Sequence, residues 1–109
     1  MKPTTTLFVL LIAAALEAGG DAIVRSGIRA SAPVLKLLLF AAGGLVLFMY
    51  GWVVNSPPWD FGRLLGVYVV FFFVIAQLIS WLVFSQRPSP SVLVGGVFVI
   101  AGGVIMTLG

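Results

Sequence analysis

Four long apolar stretches, separated by short polar connections, make up almost the whole chain. An α-helix of about 18 residues or more, rising 1.5 Å per residue, is long enough to cross the hydrocarbon core of a bilayer. Prolines and glycines lie in the connections, where they suit the starts and ends of helices, with Pro3 at the start of the first helix and Gly27 at its end. The pattern predicts an all-α membrane protein that forms a single domain over residues 1–109. We expect its four transmembrane helices at about residues 4–26, 34–54, 64–84 and 91–108.

Composition supports a membrane protein and narrows the chemistry. The chain is 61% hydrophobic and only 8% charged, which is too apolar for a soluble fold of 109 residues. It contains no Cys and no His, so a disulfide, a thiolate nucleophile and the commonest general base and metal ligand are all excluded. We therefore expect no enzyme activity, no metal and no cofactor. The net charge of +3 sits on short connections between apolar spans, so we expect no nucleic-acid partner.

The positive charges are divided unequally between the two sides of the predicted bundle. One side carries twice as many Lys and Arg residues as the other, and such an excess marks the cytoplasmic side. Both termini are then expected outside, in a multi-pass protein of the inner (plasma) membrane. The difference is small, so insertion in both orientations stays open. The side with more charge has Arg25, Arg29, Lys36 and Arg87, and the other has Lys2 and Arg63.

Three charged side chains follow one another at the end of the first apolar stretch. Glu17, Asp21 and Arg25 are four residues apart, so they lie on one stripe of a helix. An ionisable group inside a membrane segment is a functional-site hypothesis by default, because desolvation disfavours its charged form. A carboxylate there holds a proton until a cation displaces it. Such competition is sufficient for coupled exchange, and Glu17 is our first candidate for a shared proton and substrate site.

Asp21 has two interpretations. It is a second candidate for substrate binding, but an ion pair between Asp21 and Arg25 that neutralises the inner end of the first helix is favoured. Aromatic faces attract organic cations, so Tyr68 and Trp81 in the third helix are further candidates for the cavity. Each aromatic residue alone is more often a packing or interfacial residue, and this alternative is stronger for Trp81 than for Tyr68.

Glycines in the fourth stretch predict close helix packing. Gly95 and Gly96 recur as Gly102 and Gly103, seven residues later on the same helix face. Small residues at such a spacing let two helices approach closely. Since four helices enclose little interior, we predict that this stripe forms a homodimer. Packing within one chain is the alternative.

These features resemble the small multidrug resistance family of the drug/metabolite transporter superfamily. Residues 80–87, followed by Gly95 and Gly102, look like the end of that family's third helix, its loop and its dimerising fourth helix. In the first helix, Glu17 and Arg25 match its membrane-embedded glutamate and the cation at the end of the helix. The resemblance implies an antiparallel homodimer in which two Glu17 carboxylates share one site and exchange protons for a cationic substrate.

Two positions depart from the drug exporters of that family. Asp21 stands where they commonly have a small hydroxyl residue, and Tyr68 stands where they commonly have a substrate-stacking Trp. A second acid followed by Arg25 suits a more polar or zwitterionic cargo.

The leading hypothesis is therefore a proton-coupled exporter of small or lipophilic cations. Its expected partners are the bilayer, a second copy of the chain and a small cationic substrate. The alternatives are a membrane scaffold or assembly subunit that transports nothing, and a subunit of a flippase for lipid-linked substrates.

Overall fold

The protein is a bundle of four long helices, seen in a computed structural model that describes residues 2–109. Within those residues there is no strand. All four helices are long and apolar enough to cross a membrane, so the prediction of an all-α membrane protein with four transmembrane helices is confirmed. The helices are α1 (Pro3–Arg29), α2 (Pro33–Val54), α3 (Phe61–Leu82) and α4 (Pro90–Leu108).

Three predicted boundaries differ from the observed ones by two residues or more, at the end of the first helix and at both ends of the third. Gly27 was expected to end the first helix, but α1 continues to Arg29 and buries Gly27 inside the helix. A Cβ at Gly27 would lie 2.8 Å from Cε1 of Phe40 in α2, so this glycine serves a close approach to α2 and not a helix end. The third helix was expected over residues 64–84, whereas α3 begins at Phe61 and ends at Leu82.

The helices lie side by side in the order α2, α1, α3, α4, with α1 packed against both α2 and α3 and with α4 packed on α3. The bundle is flat, measuring 49 × 34 × 18 Å. Its core is where α1 meets α3 and the end of α2, and one tyrosine lies among the apolar side chains there. The buried core residues are Leu10, Ala13, Ala14, Val54, Leu64, Val67 and Tyr68.

Glycines set the close contact between α1 and α2. A Cβ at Gly20 would lie 2.8 Å from Cδ2 of Leu47, and one at Gly43 would lie 2.6 Å from Cγ2 of Val24. Both positions therefore need a small residue, which allows the two backbones to approach each other. A Cβ at Gly19 would meet no atom within 4 Å, so this glycine takes no part in the contact.

Two cationic side chains donate hydrogen bonds to the C-terminal ends of neighbouring helices. Lys36, near the start of α2, donates from Nζ to the carbonyl oxygens of Gly27 (3.0 Å) and Ile28 (2.9 Å) in the last turn of α1. Arg63 of α3 donates in the same way to the last turn of α4, to Met106 O and Thr107 O, both at 3.1 Å. The last carbonyls of a helix lack most of their donors, although the amide of Ala30 also donates to Gly27 O at 3.3 Å, and a cation suits the negative end of a helix dipole.

Replacing Lys36 by Met is expected to lower the free energy of unfolding by about 1–2 kcal/mol. The variant keeps most of the apolar length of the side chain but removes the charged donor from two helix-end carbonyls of α1, of which Gly27 O retains the amide of Ala30. Unfolding in mixed detergent micelles measures the loss. Lys2→Met is the matched control because it removes a cation that precedes α1. An equal decrease in the free energy of unfolding in both variants would contradict a stabilising role for the Lys36 hydrogen bonds.

Candidate functional site

The centre of the site is a hydrogen bond between α1 and α3. Glu17 lies about 21 Å from the start of α1, close to the middle of that helix. The hydroxyl of Tyr68 donates to Oε1 of Glu17 at 2.8 Å and also lies 3.4 Å from the carbonyl oxygen of Ala13. Tyr68 is only 4% exposed, whereas Glu17 is partly exposed. The structure therefore brings together two of the residues that the sequence singled out.

Aromatic rings from two helices surround this hydrogen bond. The ring centroid of Tyr50, from α2, lies 5.6 Å from that of Tyr68 with the planes 34° apart. Phe72 lies one turn after Tyr68 in α3, with its centroid 6.2 Å away. A carboxylate beside several aromatic faces is a suitable environment for an organic cation. Sequence reasoning missed Phe72, although its spacing of four from Tyr68 places both on one helix face.

The predicted ion pair between Asp21 and Arg25 does not form. Among residues 2–109, no acidic and basic side chains approach within 4.0 Å. The guanidinium of Arg25 instead lies over the ring of Phe84, 5.2 Å from its centroid, and Asp21 is exposed. The physical reason is that the turn after α3 brings the ring of Phe84 to Arg25, and this contact competes with the local carboxylate.

A cleft of about 230 Å³ lies between α1 and the end of α3. Both Asp21 and Arg25 lie in its wall, and so does Phe72, whose ring also packs against Tyr68. The cleft thus lies next to the Glu17 site, toward the end of α1. The residues that line it are Ala18, Asp21, Ala22, Arg25, Phe72, Ala76, Ile79, Ser80, Phe84 and Gln86.

The turn after α3 shapes the open end of this cleft. Ser85 adopts a left-handed backbone with φ of 55°, and the next amide, that of Gln86, donates to the carbonyl oxygen of Ser80 at 2.9 Å. This bond joins residues six apart, one more than the usual Schellman closure, and it ends α3 around the left-handed Ser85. The hydroxyl of Ser80 also donates to the carbonyl oxygen of Gln86 at 3.2 Å. These bonds hold Phe84 and Gln86 against α1.

The protomer does not bring Trp81 to the carboxylate. Trp81 is thirteen residues after Tyr68 in α3, which is about 20 Å along the helix axis. Its ring is 49% exposed, and Arg87 lies over it at 5.8 Å. Its surroundings correspond to the alternative of an interfacial residue, because a Trp at a helix end beside an Arg is typical of the membrane surface.

The glycines of α4 divide into two pairs with different neighbours. A Cβ at Gly96 would lie 2.5 Å from Cε1 of Phe73, and one at Gly103 would overlap a methyl group of Val70, so both pack against α3 in the same chain. Gly95 and Gly102 have nothing within 4 Å of such a Cβ. The prediction that all four serve a dimer is therefore wrong for Gly96 and Gly103, because α3 needs that side of α4.

Four apolar spans with a carboxylate held between them define a small multi-pass membrane protein. Over residues 3–109 the chain matches the model of the family described as "Uncharacterised BCR, YnfA/UPF0060 family", and it belongs to that family. No solved structure matches the chain.

Three relatives are each named as a UPF0060 membrane protein. The relative from Alcanivorax borkumensis is 33% identical over 93% of this chain and 91% of its own length. The relative from Bacillus licheniformis is 32% identical over 90% and 89% of the two chains. The one from Clostridium perfringens is 28% identical over 97% and 95%.

Membership of this family corrects the resemblance to the small multidrug resistance family. The match over residues 3–109 is to a distinct family, although the number of helices is the same. The features that carried the resemblance, an embedded glutamate and small residues spaced by seven, are ones that helix packing and polar sites in membranes produce in general. The antiparallel arrangement of the dimer rested on that resemblance and loses its basis.

Proposed function

We propose that this protein is a proton-coupled exporter of small cationic compounds, in which Glu17 holds either a proton or the substrate. The observation that supports the proposal is the 2.8 Å hydrogen bond from Tyr68 to Glu17, in a setting of aromatic rings near the middle of α1. A scaffold needs no carboxylate at that depth, where an ionisable group is costly.

The residues around Glu17 fit the two roles required of it. Tyr68 donates a hydrogen bond to the carboxylate, and the rings of Tyr50 and Phe72 lie beside Tyr68, where aromatic faces suit an organic cation. A carboxylate binds a proton or a cation at the same oxygen atoms. No basic side chain among residues 2–109 lies within 4.0 Å to neutralise Glu17 permanently. The carboxylate therefore exchanges between a proton and an external cation, and one excludes the other.

Orientation and assembly belong to the same proposal. The excess of Lys and Arg beside the α1–α2 and α3–α4 connections supports both termini outside the cytoplasm, in the inner (plasma) membrane. A homodimer is supported by the open face of α4, where Gly95 and Gly102 contact nothing in the protomer. The flat bundle leaves Glu17 partly exposed, and a second copy would enclose it.

The test is proton release on substrate binding. Benzyltrimethylammonium, which carries a permanent charge, is added to the purified protein in a weakly buffered detergent solution, and the change in pH is recorded. We expect about one proton or less per Glu17, and an apparent affinity that weakens by up to about tenfold per pH unit on the acid side of the titration. Guanidinium and polyamine compounds tested in the same way define the substrate range.

Glu17→Gln is expected to remove both the proton release and the dependence of binding on pH. Asp60→Asn is the matched control, since Asp60 precedes α3 and makes no side-chain cap there. Proton release that persists in Glu17→Gln would contradict the proposal. Loss of folding in Glu17→Gln, without any binding by the wild type, would favour a scaffold.

A further inference from the structure

We propose that the cleft between α1 and α3 is a binding subsite for small zwitterions, with Asp21 facing the cationic group and Arg25 facing the anionic group. The inference rests on the proposed function and names the substrate class of that exporter. Asp21 and Arg25 carry opposite charges in one cleft but form no ion pair with each other. Arg25 lies over the ring of Phe84 instead.

The spacing of the two charges suits a ligand that carries both signs. Asp21 and Arg25 are one helical turn apart, which places their Cβ atoms about 5–6 Å from each other on one face of α1. Both line the same cleft, yet their charged atoms are more than 4.0 Å apart. A ligand whose cationic and anionic groups are a few bonds apart can meet both side chains at once.

Electrostatics disfavours ligands with a single charge. The cleft contains one carboxylate and one guanidinium, so their charges cancel in sum while remaining separate in space. A simple cation that approaches Asp21 is repelled by Arg25. A simple anion that approaches Arg25 is repelled by Asp21. Charges a few ångströms apart interact strongly near a protein surface, so a ligand whose second charge matches the cleft is favoured over one whose second charge is absent.

The stacked geometry of Arg25 leaves its hydrogen-bonding edge free. The guanidinium carbon lies over the ring of Phe84 at 5.2 Å from its centroid, and among residues 2–109 the N–H groups of Arg25 donate no hydrogen bond. The N–H groups point outward in the plane, where they bind a carboxylate or sulfonate with two parallel hydrogen bonds. Ser80 and Gln86 add polar atoms to the same wall of the cleft. Phe84 therefore orients Arg25 for an anionic group.

The subsite is connected to the proposed transport site. Asp21 lies one turn after Glu17, about 6 Å along α1, and Phe72 lies between the cleft and the ring of Tyr68. The cationic group of a bound zwitterion thus has a second carboxylate within one turn. The cleft selects the ligand by its anionic group, and Glu17 exchanges the proton.

The experiment compares two ligands that differ only in the anionic group. Trimethylglycine has a quaternary ammonium and a carboxylate, whereas its methyl ester keeps the ammonium and loses the negative charge. Binding of each to the full-length protein in lipid nanodiscs is measured by calorimetry. We expect the wild type to prefer trimethylglycine by about tenfold or more, which corresponds to one charge-assisted interaction.

Arg25→Gln is expected to abolish or reverse this preference, and Arg29→Gln is expected to preserve it. Arg29 is the matched control because it lies four residues later in the last turn of α1 and does not line the cleft. A wild type that binds the ester as well as trimethylglycine overturns the inference, and so does a preference that survives in Arg25→Gln. Failure of trimethylglycine to bind between pH 5 and 9 also overturns it.

The two proposals fail in different measurements. If the inference is wrong but Glu17→Gln still eliminates proton release with benzyltrimethylammonium, the exporter stands and its substrates are simple cations. If proton release persists in Glu17→Gln while the preference for trimethylglycine depends on Arg25, the zwitterion subsite stands and the role of Glu17 in coupling falls.

Discussion

Replacing Glu17 by Gln is expected to abolish accumulation of a permanently charged cation in proteoliposomes with an acidic lumen. In the wild type, protons that leave the lumen through the protein drive benzyltrimethylammonium inward, and a permanently charged ion cannot accumulate by neutral diffusion. Glutamine has nearly the shape of glutamate, and its carbonyl oxygen can still accept the hydrogen bond that Tyr68 donates. It cannot carry a proton or a negative charge, so the coupling is lost while the fold is kept.

The controls separate coupling from folding. In Glu17→Gln the affinity for benzyltrimethylammonium should weaken by about tenfold to a hundredfold, the size expected when an interaction with a charged group is removed. Asp60→Asn should accumulate the cation like the wild type, since this residue lies outside the helices. Undiminished accumulation by Glu17→Gln would refute the shared site. A large drop in the unfolding midpoint of Glu17→Gln would show that Glu17 is structural.

The fold was largely predictable from the sequence because the hydrophobic pattern alone determines which segments cross a bilayer. Four apolar stretches became four helices, and prolines occur at the first turns of α1, α2 and α4, where a missing N–H has no cost. Gly27 was misjudged because a glycine near the end of a helix has two uses. Which use applies depends on Phe40, thirteen residues later in α2, and no local pattern reveals that contact.

The sequence was enough to propose Glu17 and Tyr68 as candidate site residues, but it did not reveal which side chains contact Asp21 and Arg25. Depth in an apolar stretch was enough to single out Glu17, and an aromatic residue in a facing span was enough to suggest Tyr68. The ion pair between Asp21 and Arg25 was inferred from helical spacing, which is a local property. Phe84, which takes the guanidinium, follows the end of α3 and is 59 positions away in the chain, so only the packing of α1 on α3 could reveal it.

General physical constraints on membrane helices also explain the mistaken resemblance to the small multidrug resistance family. Embedded acids are selected because they titrate within a membrane, and glycines at a spacing of seven are selected because helices pack there. Distinct families that solve the same physical problem share both features. The glycine pairs of α4 illustrate the point, since Gly96 and Gly103 have a purely internal use here.

Leucine at Gly103 and leucine at Gly102 are expected to fail in different ways, although the two positions are adjacent in α4. A side chain at Gly103 overlaps Val70 of α3, so Gly103→Leu should lower the free energy of unfolding by about 1–3 kcal/mol or more. A Cβ at Gly102 meets nothing within 4 Å in the protomer, so Gly102→Leu should keep the unfolding midpoint. If the open face of α4 forms the homodimer, Gly102→Leu should weaken self-association about tenfold or more, because a bulky side chain separates two closely packed helices.

Both quantities are measured on the same samples. Unfolding in mixed micelles reports the α3–α4 contact, and energy transfer between labelled copies at varied ratios of protein to lipid reports self-association. Gly62→Leu is the control, since its position at the start of α3 is equally open and lies far along the chain from the glycines of α4. Unchanged association of Gly102→Leu would place the interface on another face of the bundle. Equal unfolding losses at Gly102 and Gly103 would contradict the division of the glycines, because only Gly103 contacts α3.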